Sequence, residues 1–130
     1  MASLFSKIIA GEIPSYKVAE NDKFYAFLDI SPLQKGHTLV VPKKEEDYIF
    51  DIEDGDLKEY ICFAKQVANA LKKAYPCVKV GIAVIGLEVR HAHIHLVPMQ
   101  KEGDLNFANP KKTFTPEEFK EIADNIAKNM

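Results

Sequence analysis

His91-Ala92-His93-Ile94-His95-Leu96-Val97 places three of the chain's four histidines within five positions. Histidine alternates with apolar residues, and alternation of period two is the signature of a strand with one buried face. On a strand, successive side chains point to opposite faces, about 3.3 Å apart along the chain. The three imidazoles therefore share one face, and Ala92, Ile94 and Leu96 share the other. The segment His91 to Pro98 is predicted to be a strand with an apolar side for the core and an imidazole side for chemistry.

Working outward, Gly86-Leu87-Glu88 turns the chain just before the histidines. Lys79 to Ile85 is mostly apolar and is predicted to be a strand lying centrally in the sheet. Before it, Leu57, Ile61, Ala64, Ala68 and Leu71 recur at helical spacing, with Lys72-Lys73 in the last turn and Pro76 just beyond. That stripe is expected to face the helix's own sheet. Nearer the start, Tyr16 to Ala19, Phe24 to Leu28 and Thr38 to Val41 read as short strands. A helical turn over Phe5 to Ala10 precedes them and ends at Gly11. At the far end, Thr115-Pro116-Glu117-Glu118 opens a last helix, with Thr115 as N-cap and Glu118 closing a capping box. Phe119, Ile122, Ala123 and Ile126 supply its apolar face. The order gives an α+β fold, with helices covering a mostly antiparallel five-stranded sheet.

Composition narrows the function. One domain over residues 1–130 suits the length, and a chain of this size buries an adequate core without staples. Seventeen basic and nineteen acidic residues argue against nucleic acid or an anionic membrane as partner. The first residues have no basic segment followed by a long apolar run, so no signal peptide is expected, and the setting is expected to be cytoplasmic. Cys62 and Cys77 are too few for a disulfide framework and are expected to be inert, partly buried thiols.

Three readings of the histidine face are open. The imidazoles could be solvated side chains on a sheet edge. They could ligate a metal, since neutral imidazole is a common ligand. Or they could act at phosphorus, imidazole being both a good nucleophile near neutral pH and a good leaving group. The third reading is favoured. Gly86 supports it, because a residue without Cβ lets backbone amides approach a phosphate oxygen.

The motif resembles the His-φ-His-φ-His-φ-φ signature of the histidine triad (HIT) superfamily, where φ is apolar. Three other stretches resemble the family in the same order: Leu4 to Pro14, Phe27 to Pro32 and Lys35 to Lys43. The similarity is closest to the Hint-like branch, which comprises nucleoside phosphoramidases and nucleotide hydrolases. That resemblance implies His93 as nucleophile at an α-phosphorus, forming a nucleotidyl-imidazole that water then hydrolyses. It implies that the His91 carbonyl orients His93, that His95 contacts phosphate oxygens, and that His37 supports the triad from behind. Asp29 would hold the ribose hydroxyls. Phe5, Ile8, Ile13, Phe27, Ile30 and Leu39 would enclose the base, and Gly86 and Glu88 would lie at the substrate. The implied substrate is a purine nucleotide or nucleoside phosphoramidate, with no cofactor. A dinucleoside polyphosphate hydrolase and a slow nucleotide-binding module are the alternatives.

Departures from the family pattern matter too. Many members bind a structural zinc through a Cys-x-x-Cys, a later His and the first triad His. Here Ser3, Ser6 and Glu45 stand at the first three positions. Hydroxyls are poor zinc ligands, so no zinc is expected. The loop before the triad is short and has Leu87 where Gln is common. Lys43-Lys44-Glu45-Glu46-Asp47 reads as a solvated loop. Arg90 is expected to point away from the imidazole face and takes no catalytic role. The family also implies a homodimer that joins two sheets into ten strands. Tyr60, Phe63 and Val67 form a second stripe on the long helix and are expected at that interface.

Overall fold

The computed structural model describes residues 2–130. Five strands form one sheet: β1 (Lys17–Glu20), β2 (Phe24–Leu28), β3 (Thr38–Pro42), β4 (Lys79–Ala83) and β5 (Ile94–Met99). Their order across the sheet is β1-β2-β3-β5-β4, and every neighbouring pair is antiparallel. Three α-helices accompany them: α1 (Leu4–Ile9), α2 (Asp54–Ala74) and α3 (Pro116–Ala127).

The sheet is covered on both faces, which explains why all five residues of β2 are buried. Phe24, Ala26 and Leu28 of β2, Val40 of β3, and Ile94 and Leu96 of β5 pack with α2 and α3 in the larger core. The alternate residues Tyr25, Phe27, Leu39 and Val41 face the other way, where Phe5 and Ile8 of α1 cover them. Short α1 therefore roofs the face that carries the imidazoles. It ends as its sequence demands, with Gly11 in the left-handed region at φ +82°. The α3 capping box forms as read, Glu118 N–H donating to Thr115 Oγ1 and Thr115 N–H to the Glu118 carboxylate.

Three expectations need correction. The segment from Lys79 is an edge strand, not a central one, and it ends at Ala83. Val80 packs against the core, but Ile82 is 55% and Ile85 52% exposed. An apolar run alone does not distinguish a central strand from an edge that awaits cover.

The second correction concerns α2. Its buried residues are Tyr60, Phe63, Ala64, Val67, Ala70 and Leu71, while Ile61 is 44% exposed. Tyr60, Phe63 and Val67 thus belong to the chain's own core and not to an interface between protomers. The helix is apolar over more than one stripe, so periodicity did not choose between them. The aromatic rings decide the choice: Tyr60 stacks on Phe24 at 5.3 Å and its hydroxyl donates to the Val40 carbonyl at 2.6 Å. Burying a tyrosine is favourable once its hydroxyl has a partner. Cys62, on the outward side, is exposed.

Third, the last strand begins only at Ile94, so His91 and His93 precede the ladder. β3 pairs with it from Thr38↔Leu96 to Val40↔Ile94. Two residues further along β3 is Pro42, which has no N–H to continue the pairing.

Candidate active site

His93 and His95 lie on the α1 side of the sheet, with ring centroids 4.9 Å apart. Nothing about the local chain forces His91 to join them, because it lies before the strand. Neighbouring segments hold it instead. Ala92 N–H donates to the Glu46 carbonyl at 2.6 Å, and the His91 ring reaches the Pro42 carbonyl through Nε2 at 2.7 Å.

The protonated nitrogen of every imidazole follows from fixed backbone partners. The Leu33 N–H points at His37 Nδ1 at 3.0 Å, so that nitrogen accepts and Nε2 carries the hydrogen. His37 Nε2–H then donates to His95 Nδ1 at 3.0 Å, which leaves His95 Nε2–H as a donor. The His91 carbonyl lies 2.8 Å from His93 Nδ1, so that nitrogen donates and Nε2 keeps its lone pair. His91 Nε2–H donates to Pro42, so its Nδ1 accepts from Ser3 Oγ at 2.6 Å. The result is one imidazole with a free lone pair, His93, beside one with a free N–H, His95.

Burial favours the neutral form of His37, His93 and His95. His37 is pushed down to about 3 by burial, with His95 and Lys111 adding repulsion. His95 falls to about 4, by burial first and His93 second. Burial also lowers His93, opposed by the hydrogen bond to the His91 carbonyl and by the Asp29 carboxylate. Asp29 moves upward, because burial outweighs the Ser31 N–H, His93 and Lys111.

The other expected residues divide into two groups. Phe5, Ile8, Phe27 and Leu39 are buried together, with Ile13 packed against them. The Phe5 ring stands edge-on to His93 with centroids 4.9 Å apart. Asp29 Oδ1 accepts from Ser31 N–H at 2.8 Å in an Asx turn, while Oδ2 stands 3.6 Å from His37 Nε2. By contrast, Ile30 is 71% exposed and lies outside the buried group, because the turn that holds Asp29 swings it outward. Glu88 is exposed, and Gly86 adopts φ +70° in an irregular loop. Leu87 is 78% exposed there. Arg90 turns to the surface and pairs with Asp47 at 2.8 Å.

Three residues have more part in the site than their sequence suggested. Phe107 sets its ring edge-on to His95 at 4.8 Å and reaches His37 at 6.4 Å. Lys111 donates to the Phe107 and Asn109 carbonyls at 2.5 and 3.1 Å, which folds that loop onto itself. Lys112 N–H ties the loop to the Pro32 carbonyl at 2.8 Å. No periodic pattern marks residues 105–114. An isolated phenylalanine among Asn, Pro and Lys was the one available signal.

Metal chemistry can be tested against the donors. Asp29, His37 and His95 present ligand atoms within 4.8 Å of one another. Yet His37 has its hydrogen on Nε2 while Leu33 occupies Nδ1, so it has no lone pair to offer there. At the positions where many members of the family hold zinc, Ser3 Oγ donates to His91, Ser6 Oγ donates to Glu45, and Glu45 accepts from the Ser3 backbone N–H. Neither donor set fits a resident cation.

Comparison with known proteins agrees with the motif. The HIT domain model matches residues 10–102. An adenosine 5'-monophosphoramidase of Saccharomyces cerevisiae is 40% identical over 102 residues, covering 78% of this chain and 65% of that protein. One from Schizosaccharomyces pombe is 31% identical over 132 residues, covering 100% of this chain and 99% of that protein. Among solved structures, a Hit-like protein from Bartonella henselae superposes with a TM-score of 0.84 at 31% identity, covering 98% and 96% of the two chains. With its imidazole face, its five-stranded sheet and these relatives taken together, the chain belongs to the HIT family.

Proposed function

We propose that this protein hydrolyses nucleoside phosphoramidates, of the adenosine 5'-monophosphoramidate class, through a covalent nucleotidyl-histidine at His93. The observation that carries the reading is the state of His93: Nδ1–H is held by the His91 carbonyl and Nε2 is left as a nucleophile. Nε2 attacks the α-phosphorus, the P–N bond breaks, and the amine departs with a proton from solvent. His95 Nε2–H donates to a phosphoryl oxygen as charge builds there. Water then cleaves the P–N bond to His93 and regenerates the free imidazole. Asp29 accepts from the ribose hydroxyls, and the apolar residues beside Phe5 receive the base.

Two phosphoramidase-named yeast relatives support this substrate class. The test is adenosine 5'-monophosphoramidate turnover by wild type and His93→Ala. Wild type should release AMP, and mass spectrometry of quenched enzyme should find AMP on His93. His93→Ala should bind AMP within a few-fold of wild type and lose turnover. A turning-over His93→Ala protein would overturn the mechanism.

The same reading includes a homodimer. β4 leaves an outer edge without a partner strand among the described residues, beside exposed Ile82, Val84 and Ile85. Antiparallel pairing of that edge with a second copy would cover it and make ten strands of two five-stranded sheets.

A further inference from the structure

The loop Lys43 to Asp47, expected to be merely solvated, is stitched to two other segments. Glu45 Oε1 accepts from Ser6 Oγ at 2.8 Å and from the backbone N–H of Ser3. Ser3 Oγ accepts from Ser6 N–H at 3.0 Å as the N-cap of α1. The same oxygen lies 2.6 Å from His91 Nδ1. A neutral His91 ring has one N–H, which Nε2 gives to Pro42, so the hydrogen in this contact comes from the serine.

We propose that Ser3, Ser6 and Glu45 form a metal-free clasp, and that Ser3 is a positioning residue for His93, acting through His91. His91 is fully buried, so without Ser3 its Nδ1 has no donor and the ring is free to shift. The carbonyl that holds His93 Nδ1–H belongs to this same residue. The clasp also sets α1, and with it Phe5, whose ring stands 5.9 Å from His91 and 4.9 Å from His93. One serine oxygen thereby fixes both the backbone and the aromatic neighbour of the nucleophile. Hydrogen bonds among Ser3, Ser6, Glu45 and His91 occupy the positions where many members of the family hold a cation. The kinetic part of this proposal rests on the phosphoramidase reading, and the structural part does not.

The test compares wild type, Ser3→Ala and Ser3→Thr by 15N NMR of the imidazoles, with kcat and KM for adenosine 5'-monophosphoramidate alongside. In Ser3→Ala, the His91 Nδ1 resonance should move toward that of a free imine nitrogen, and the His93 Nδ1–H signal should broaden. The kcat should fall about tenfold or more with KM within about twofold, since a second-layer partner orients without touching substrate. Ser3→Thr should restore both. If Ser3→Ala does not fold, Glu45→Ala should show the same His93 broadening in milder form. Unchanged His93 signals in the folded variant would overturn the proposal, as would about one zinc per chain in purified wild type. Absence of wild-type turnover would remove the phosphoramidase reading alone, because the NMR comparison still decides the clasp.

Discussion

His37 Nε2 lies 3.0 Å from His95 Nδ1, and both rings are almost wholly buried. The contact fixes which nitrogen of His95 carries the free N–H, so under the proposed reaction His37 would act only through His95. Removing it has two costs. The Leu33 N–H loses its acceptor, and His95 loses its donor.

His37→Ala should therefore lower both stability and turnover. An unsatisfied buried donor costs about 1–3 kcal/mol, and the space left by the ring adds to it. Urea denaturation should show a loss of at least about 2 kcal/mol. The kcat should fall by one to two orders of magnitude while AMP binding persists. Wild-type turnover would show that His95 needs no fixed tautomer.

Acid should destabilise the fold before carboxylates titrate. His37 and His95 are held down to about 3 and about 4 in the folded chain, against 6.5 for a free imidazole. Between these values the unfolded chain binds more protons, so stability rises with pH. Their contribution is complete above about pH 6.5 and declines as pH falls toward 4 and then 3. Each histidine adds a slope of up to about 1.4 kcal/mol per pH unit. Asp29, raised by burial, acts in the opposite sense within the carboxylate range. Denaturant midpoints from pH 8 to pH 4 would reveal the slope, and a flat profile would contradict it.

Phe107 should matter although it lies beyond the matched family region, residues 10–102. Its ring edge lies against His95 at 4.8 Å. Phe107→Ala opens that side of the site and frees the imidazole to rotate. The expected result is about tenfold lower kcat/KM, with the AMP adduct on His93 still detectable. Phe107→Tyr should stay close to wild type. An unaffected Ala variant would leave Phe107 as loop packing alone.

If β4 joins a second copy, light scattering at micromolar concentration should give a mass near twice 14.6 kDa. Ile82→Lys should shift the population toward monomer, since a charge at an exposed edge opposes pairing. Phe63→Lys should instead unfold the protein, because Phe63 is buried in the chain's own core. A monomeric wild type, or a dimer indifferent to Ile82→Lys, would exclude this interface.

Much of the architecture was legible from local pattern. Alternation through His93, Ile94, His95 and Leu96 assigned two faces, and the α3 cap was written in Thr115, Pro116 and Glu118. Such features follow from period and cap chemistry, which neighbouring residues carry by themselves. Three matters were settled by distant segments. The side of α2 that turns inward depended on Val40 offering a carbonyl to Tyr60. The position of β4 depended on β5 entering between it and β3. The protons on the imidazoles depended on Leu33, Pro42, Ser3 and the His91 carbonyl, separated from one another by as many as 88 positions. The residue types that can do chemistry are determined by sequence. Which nitrogen holds a hydrogen, and which apolar stripe is inside, are decided by partners that only the fold brings within bonding distance.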